Sequence, residues 1–162
     1  MTSPEELEIR AATAHDTPLL LELIRELAAF VNQADKVQTD EPRLGEHLFG
    51  SCATASAWLA FVSDDAVGYA VTFPTFSTFL GRPGVYLEDL FIRDRFRQRG
   101  YGRTFFRFLA REANRRGCPR FEWTVLAWNN AAIQLYESFG AVVLPDTRTC
   151  RLAGKALVSL GA

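Results

Sequence analysis

Cysteine is scarce in this chain of 162 residues, and its three cysteines lie far apart, at Cys52, Cys118 and Cys150. An odd number of cysteines at these spacings matches neither a disulfide framework nor a zinc-binding motif. Free thiols are then the expected state, and free thiols persist in reducing compartments. We therefore expect a cytoplasmic protein that binds no metal ion.

Long hydrophobic runs are absent as well. No stretch approaches the ~20 apolar residues that a membrane-spanning helix needs. The first ten residues, MTSPEELEIR, are acidic and lack the apolar region of a secretory signal. The sequence therefore predicts a soluble protein with no membrane partner.

The chain has almost no net charge, −1 at pH 7, so nothing draws the whole molecule toward nucleic acid. Its basic residues are nonetheless concentrated, with ten arginines between positions 93 and 120. Three of them, Arg103, Arg107 and Arg111, recur every four residues and would form a stripe on a helix. Because no aromatic side chains interleave with that stripe, we expect no nucleic-acid partner.

The length favours a single domain that spans residues 1–162 and is large enough to bury a core. Apolar periods of two and of 3.6 residues follow the order β-α-α-β-β-β-α-β-α-β-β, which predicts a mixed α/β sheet. The predicted strands cover 7–13, a hairpin over 56–76, 85–93 after a loop at 77–84, 120–128, 141–145 and 147–154. The predicted helices lie within 15–31 with Asp16 as N-cap, 41–49, 101–116, 129–140 with Asn129 as N-cap, and 155–160 as a short helix or tail.

Two carboxylates, Glu88 and Asp89, lie inside the apolar run that predicts the strand 85–93. Strict alternation places Glu88 on the face of Tyr86 and Leu90, and Asp89 on the opposite face. A carboxylate among apolar neighbours is costly unless it is paired or functional. Two interpretations of Glu88 are therefore open, a functional carboxylate or an ion pair with a structural arginine.

The segment RFRQRGYG, residues 95–102, connects this strand to the next helix. A helix start exposes backbone N–H groups and the positive end of the helix dipole, and arginines add hydrogen bonds that suit phosphate. Gly100 and Gly102 would let the backbone approach such a ligand closely. The pattern fits a diphosphate-binding turn and a solvated basic surface equally well. Phe105 stands where a dinucleotide-binding fingerprint needs its third glycine, which disfavours that class.

Residues 97–102, Arg-Gln-Arg-Gly-Tyr-Gly, fit the pattern R/Q-x-x-G-x-G/A, and here the chain resembles the GNAT superfamily of N-acetyltransferases. Segments 9–28, 67–81, 85–106 and 117–141 resemble its diamine (spermidine/spermine and thialysine) acetyltransferase branch. That resemblance covers most of the chain and rests on Tyr-Leu-Glu-Asp, Trp-Asn and Tyr-x-x-x-Gly-Ala in this order. It implies a GNAT fold, which is a central, mostly antiparallel twisted sheet with a V-shaped splay between its two central strands, flanked by helices.

The resemblance implies acetyl-CoA as the cofactor and CoA as a product. The pantetheine arm would lie along the predicted strand like an added β-strand and contact the backbone of Leu90, Phe91 and Ile92. The residues implied around the pyrophosphate are Arg97, Gln98, Arg99, Gly100, Tyr101, Gly102, Arg103 and Thr104. Asn129 is implied to contact the cofactor through its side chain, which is compatible with an N-cap role.

The resemblance also implies the catalytic groups. Tyr136 matches the family's general acid, which contacts the cofactor and protonates the leaving thiolate of CoA. From periodicity alone, Tyr136 would be a core residue on the apolar face of its helix. Glu88 matches the residue that binds the amine, directly or through water, and can act as the base. The implied mechanism is direct transfer in a ternary complex, without a cysteine intermediate.

Several positions on the acceptor side depart from the polyamine enzymes. Polyamine enzymes have acidic and aromatic residues in the loop after the first helix, and of these Phe30 is retained here. Phe79 replaces a tryptophan, and Arg148 stands where relatives tend to have a tryptophan. Two interpretations of Arg148 are open. An arginine disfavours a polycation and would favour an amine that carries a carboxylate, such as an amino acid, or Arg148 is a solvent-facing residue of an edge strand. The substrate-binding residues implied are thus Phe30, Phe79, Glu88, Asp89 and Arg148, although Asp89 could equally be structural.

The sequence therefore predicts an N-acetyltransferase that acts on the primary amine of a small molecule, either diamine- or thialysine-like or amino-acid-like. Two alternatives remain open. One is a protein N-terminal or lysine acetyltransferase, and the other is a non-catalytic acyl-CoA-binding module. Family relatives are commonly homodimers whose C-terminal strands join the partner's sheet, so the resemblance also implies a homodimer.

Overall fold

A computed structural model describes residues 6–162, which form two compact units. The first unit ends at Thr124 and contains the whole β-sheet, and the second is Val125–Ala162. The single domain expected from the sequence stays a prediction.

The first unit is built on a five-stranded sheet. Its strands are β1 (Glu8–Ala11), β2 (Ser56–Val62), β3 (Asp65–Ser77), β4 (Arg82–Ile92) and β5 (Phe121–Trp123). They lie in chain order across the sheet, β1 to β4 antiparallel and β5 parallel to β4. This arrangement confirms the predicted mixed α/β sheet and the predicted hairpin after residue 56.

Five α-helices complete the two units. They are α1 (Thr17–Phe30), α2 (Glu41–Phe49) and α3 (Tyr101–Arg115) in the first unit, and α4 (Asn130–Glu137) and α5 (Gly154–Leu160) in the second. Short 3-10 turns occupy Ala14–Asp16, Ala34–Lys36 and Asp94–Phe96. Each of the five helices was predicted from the sequence to within a few residues.

Asp16 occupies the N-cap position of α1, as predicted, but its carboxylate does not cap that helix. It accepts two hydrogen bonds of 2.8 Å from the Arg10 guanidinium and others from the backbone N–H and hydroxyl of Thr13. These donors hold the pKa of the Asp16 carboxyl well below its usual range. The carboxylate thus joins β1 to the start of α1.

Helices cover both faces of the sheet. The core on the α1 face consists of Leu20, Leu23, Ala57, Leu59, Tyr69 and Phe91. On the other face, the ring of Trp58 in β2 packs edge-on against Phe108 of α3, with ring centroids 5.1 Å apart. The sheet, including the strand β4 that carries Glu88 and Asp89 and leads into the glycine turn, is therefore packed between two layers of helices.

Three strands differ in length from their predictions. β1 ends at Ala11 rather than at residue 13. β4 begins at Arg82 rather than at residue 85, because residues 82–84 pair with the end of β3. β5 ends at Trp123 rather than at residue 128. The chain turns after it, and the N–H of Asn129 donates to the Leu126 carbonyl at 2.9 Å.

The two strands predicted at 141–145 and 147–154 are wrong. The second unit, every residue of which is described, contains no strand, and residues 142–153 are exposed. β-branched residues such as Val142 and Val143 favour an extended chain, but a strand needs a neighbour that pairs with its backbone groups. The composition of these segments predicted an extended chain, but it does not reveal whether a neighbouring strand is present.

Candidate active site

A β-bulge in β4 lies at the two carboxylates. In the register with β3, Val71 is opposite Asp89 and the next pair is Thr72 with Leu87. Glu88 is therefore an extra residue that has no partner across the ladder. An extra residue bends the strand and changes the direction of the side chains that follow it.

The bulge overturns the strict alternation predicted for this strand. Because cross-strand partners share a face of the sheet, Tyr86 and Asp89 lie on one face and Leu87 and Leu90 on the other. Glu88 is exposed, and no ion pair formed by the described residues includes it. The structural ion pair considered for Glu88 is thus not formed, and its carboxylate is open to a cationic ligand.

Asp89 is held from the neighbouring strand by Tyr69, whose hydroxyl donates to Asp89 Oδ2 at 2.9 Å. Burial raises the pKa of the Asp89 carboxyl, the Tyr69 hydrogen bond opposes that shift, and the charge of Glu88 adds to it. Burial also raises the pKa of Tyr69, which therefore stays protonated and remains a donor. This hydrogen bond gives Asp89 a structural role, while a substrate role stays a prediction.

We expect Asp89→Asn to flatten the dependence of protein stability on pH above about 4. A carboxyl whose pKa is raised by folding binds its proton more tightly in the folded than in the unfolded chain. Stability conferred by that proton is complete below the ordinary aspartate pKa of 3.8 and is lost as the pH rises through the folded pKa. Asparagine has no titratable proton, so this contribution to the pH dependence is lost. Its side-chain oxygen can still accept the hydrogen bond from the Tyr69 hydroxyl.

The measurement is the free energy of unfolding in urea at several pH values between 3.5 and 8, in wild type and Asp89→Asn. Glu88→Gln is the matched comparison, because removing the neighbouring charge should produce a smaller change in the same direction. Parallel stability profiles in wild type and Asp89→Asn would show that Asp89 does not titrate in the way its burial implies.

The edge of β4 that faces β5 is paired over only three residues. Val85, Tyr86 and Leu87 pair with β5, which then ends at Trp123, whereas β4 continues to Ile92. Within the described sheet, no strand pairs with this edge from Glu88 onward. Such an edge offers backbone N–H and C=O groups to an added extended chain.

The turn between β4 and α3 has the backbone geometry of an anion cradle. Gln98 and Gly100 both adopt left-handed conformations, with φ of +61° and +84°, and turns of this kind aim successive N–H groups toward one side. No hydrogen bond among the described residues uses the backbone N–H groups of residues 98–102. A Cβ added at Gly100 would meet no atom within 4 Å, so the space above the turn is open. These features fit a diphosphate.

The arginines of this turn differ in their surroundings. The Arg97 guanidinium donates to the Ile92 carbonyl at 2.9 Å and to Asp94 at 3.3 Å. Arg99 is exposed and donates no hydrogen bond to a described residue. Arg103 lies in the first turn of α3, where the N–H of Thr104 donates to the Gly100 carbonyl at 3.0 Å. Their contacts with a cofactor stay predictions.

The second unit carries the other two cofactor candidates. Asn129 is the N-cap of α4, as predicted, and its side-chain oxygen accepts from the N–H of Ala132 at 3.2 Å. Tyr136 is half-buried in the same helix, and burial raises the pKa of its phenol. The phenol therefore keeps its proton throughout the neutral pH range.

The acceptor-side candidates are more scattered. Phe30, the last residue of α1, lies under the Arg97 guanidinium, which is 4.1 Å from the ring centroid. Phe79 is fully exposed in the turn between β3 and β4, and Arg148 is exposed in the second unit. No hydrogen bond or ring contact among the described residues joins Phe79 to Glu88.

Sequence reasoning missed two residues that shape this site. Tyr69 holds Asp89, and Gly68 lies opposite Ile92, where an added Cβ would be 2.0 Å from the Phe91 carbonyl oxygen. A glycine inside a strand is a signal of close backbone approach. No sequence signal pairs Tyr69 with a carboxylate twenty residues away.

The fold and the cradle agree with a match to a known protein family. Residues 21–141 match the family model described as Acetyltransferase (GNAT) family. The chain therefore belongs to the GNAT acetyltransferase family, and the predicted class of enzyme, an acyltransferase, is confirmed. Acetyltransferases of this family use acetyl-CoA.

Curated relatives come from the amine acetyltransferases. A thialysine N-epsilon-acetyltransferase from Caenorhabditis elegans is 32% identical over 94% of this chain and 96% of its own length. An L-ornithine N5-acetyltransferase from Arabidopsis thaliana is 40% identical, over 57% of this chain and 41% of its own length. These relatives confirm the predicted branch of the family.

Solved structures show the same fold. An integron cassette protein from the mobile metagenome of V. cholerae superimposes with a TM-score of 0.80, covering 96% of this chain and 97% of its own at 24% identity. None of the helices in residues 6–162 has the length and apolarity needed to cross a membrane. The expectations of a cytoplasmic location, no metal and no nucleic-acid partner stay predictions.

Proposed function

We propose that this protein is an acetyl-CoA-dependent N-acetyltransferase that acts on the primary amine of a small molecule. The observation that carries the proposal is the succession, within residues 88–102, of an exposed carboxylate, an unpaired strand edge and an open anion cradle. An ammonium group needs the first feature. The unpaired strand edge can bind the extended arm of a thioester cofactor, and the anion cradle can bind its diphosphate.

The cofactor would be held mainly by the backbone. The edge of β4 at Leu90, Phe91 and Ile92, where among the described residues only the Ile92 carbonyl accepts a side-chain hydrogen bond, from Arg97, suits the amide groups of a pantetheine arm. The N–H groups of residues 98–102 suit the diphosphate. The exposed Arg99 would add a charge-assisted hydrogen bond. Contacts from Asn129 and Tyr136 of the second unit are supported by their motif.

Acetyl-CoA, when bound, supplies a thioester carbonyl that an uncharged amine can attack. Most amines are cationic at neutral pH, so a proton must leave first. Glu88 attracts the ammonium and accepts this proton, directly or through water. Tyr136 keeps its phenolic proton at neutral pH, since the ordinary pKa of a phenol is 10.0 and burial raises it, and it can donate that proton to a departing thiolate.

We propose an amino acid with a side-chain amine as the acceptor. The named acceptors of two relatives, ornithine and thialysine, are both amino acids of this kind. Each carries a carboxylate that a polyamine lacks. The exposed Arg148, in place of the tryptophan common in polyamine enzymes, is the residue we assign to that carboxylate.

The test is a thiol-release assay at saturating acetyl-CoA with ornithine, lysine, thialysine, putrescine and spermidine. We expect Arg148→Gln to lower kcat/KM for the carboxylated amines about tenfold or more, because a hydrogen bond between charged groups is lost, and to leave putrescine unchanged. Arg151→Gln is the matched control, since Arg151 is also exposed in the same segment.

Preference for spermidine over every carboxylated amine would contradict this acceptor class. Acetyl-CoA binding without turnover on any amine would contradict the proposed function as a whole. It would point instead to a protein N-terminus or lysine as the acceptor, or to a non-catalytic acyl-CoA-binding module.

A homodimer belongs to the same proposal. Val142, Val143, Leu144 and Leu152 are apolar and exposed in the segment where the resemblance implies strands that join a partner's sheet. Packing against a second copy would remove these apolar side chains from water. Light scattering after size-exclusion chromatography should give twice the monomer mass of 18.1 kDa, and a monomer mass would overturn the assignment.

A further inference from the structure

We propose that Arg97 is a positioning residue that ties the acceptor side of the site to the cofactor-binding turn, rather than a ligand of the cofactor's phosphates. The inference rests on the proposed function. It concerns the first arginine of the Arg-Gln-Arg-Gly-Tyr-Gly turn, whose guanidinium is turned toward the protein. That guanidinium makes four contacts within the first unit.

The Arg97 guanidinium is committed to neighbours within the first unit. Its Nε donates to the carbonyl of Ile92, the last residue of β4, and its Nη1 donates to Asp94. The guanidinium carbon lies 4.1 Å from the ring centroid of Phe30 and 5.5 Å from that of Phe91. A guanidinium at these distances from aromatic rings is attracted by their negative faces.

Arg99, two residues further along the same turn, provides the contrast. It is exposed, it forms no ion pair or hydrogen bond with a described residue, and the nearest ring, that of Phe96, has its centroid 5.8 Å away. The Arg97 side chain is only 30% exposed. An anion that approaches the cradle from solvent therefore meets Arg99, not Arg97.

The location of Phe30 gives this packing a functional consequence. Phe30 ends α1, and the segment 31–40 that follows leads to α2. The resemblance assigns Phe30 itself to the acceptor. Arg93 anchors an earlier turn of α1 through Glu22 and Glu26, but Arg97 reaches its last residue. Arg97 therefore fixes the position of Phe30, after which the segment 31–40 begins. It does so from the turn that we propose binds the cofactor.

Substitution of Arg97 should affect mainly the KM for the amine acceptor, and substitution of Arg99 mainly the Kd for acetyl-CoA. We expect Arg97→Gln to raise the acceptor KM about 3- to 30-fold, because the contact with Phe30 is lost. Its Kd for acetyl-CoA should change less than about threefold, with the same dependence on salt. Arg99→Gln should do the opposite, weakening acetyl-CoA about tenfold or more and making its binding less sensitive to salt.

Phe30→Leu tests the partner of Arg97 without touching the turn. Alone, it should raise the acceptor KM by a similar factor, and in combination with Arg97→Gln it should add little, because both changes remove one interaction. Arg97→Lys keeps a cation over the ring and should recover part of the acceptor affinity. Thermal unfolding of each variant identifies any that fails to fold. The variants that do fold then test whether Arg97 acts through Phe30.

Weakened acetyl-CoA binding in Arg97→Gln, equal to that in Arg99→Gln, would make Arg97 a phosphate ligand and overturn the proposal. Additive effects of Arg97→Gln and Phe30→Leu on the acceptor KM would overturn it as well. If no amine supports turnover, the proposed function fails. Calorimetric titration of acetyl-CoA into Arg97→Gln and Arg99→Gln still shows which arginine binds the phosphates.

Discussion

Replacing Tyr136 with phenylalanine should lower kcat for amine acetylation about 10²- to 10⁴-fold, the range typical of a lost general acid. The ring is retained, so packing in α4 and the Kd for acetyl-CoA should change little. The physical reason is the phenolic proton, which phenylalanine lacks. A phenol of ordinary pKa 10.0 holds that proton at neutral pH, and burial raises the pKa of Tyr136 further. Steady-state kinetics with the best acceptor of the amine panel, beside calorimetric titration of acetyl-CoA, measures both quantities.

Thermal unfolding of Tyr136→Phe controls for a folding defect. A fall in kcat of less than about threefold, in a variant that binds acetyl-CoA normally, would remove Tyr136 from the mechanism. A large loss of acetyl-CoA binding with kcat preserved would make Tyr136 a cofactor contact only.

Replacing Gly68 with alanine should destabilise the protein by about 3 kcal/mol or more, among the larger effects of a single substitution. The added Cβ would lie 2.0 Å from the Phe91 carbonyl oxygen and 3.1 Å from the Ile92 Cα. Both atoms belong to the backbone of β4, which cannot move away as a side chain could. Thermal unfolding should show a midpoint lower by about 6 to 12 °C.

Gly45→Ala is the matched control for this substitution. Gly45 lies inside α2, where an added Cβ would make an ordinary contact, 3.5 Å from Thr17 Oγ1. Alanine in a helix interior is favoured over glycine by about 0.5 to 1 kcal/mol, so this variant should be as stable as wild type or more so. Equal midpoints in Gly68→Ala and wild type would show that β3 and β4 do not approach as closely as described.

Local sequence signals predicted much of this fold, because the features concerned are set by a few neighbouring residues. Asn129 caps α4 as its position before an apolar helix indicates, and Gly100 begins α3 in a left-handed conformation that glycine adopts easily. The strands expected at 141–145 and 147–154 did not form, because a strand depends on a partner that composition does not reveal.

The candidate site was predictable in its residues but not in its geometry. Glu88 and Asp89 stand out in the sequence, yet the bulge that separates their surroundings depends on how β3 and β4 register. The hydrogen bond from Tyr69 to Asp89 joins residues twenty positions apart. The inward course of Arg97 depends on Phe30, which lies further still along the chain. Each of these contacts exists only once the sheet has assembled.

The measurement that tests the central claim most directly follows the acetyl group itself. Wild-type protein is mixed with acetyl-CoA alone and then with the preferred amine, and mass spectrometry records acetylation of both amine and protein while a thiol reagent records free CoA. Direct transfer predicts no CoA release before the amine is added, then one acetylated amine for each CoA, with the protein unmodified. Release of CoA without an amine, leaving an acetylated protein, would contradict direct transfer, and the absence of any acetylated amine would contradict the proposed function.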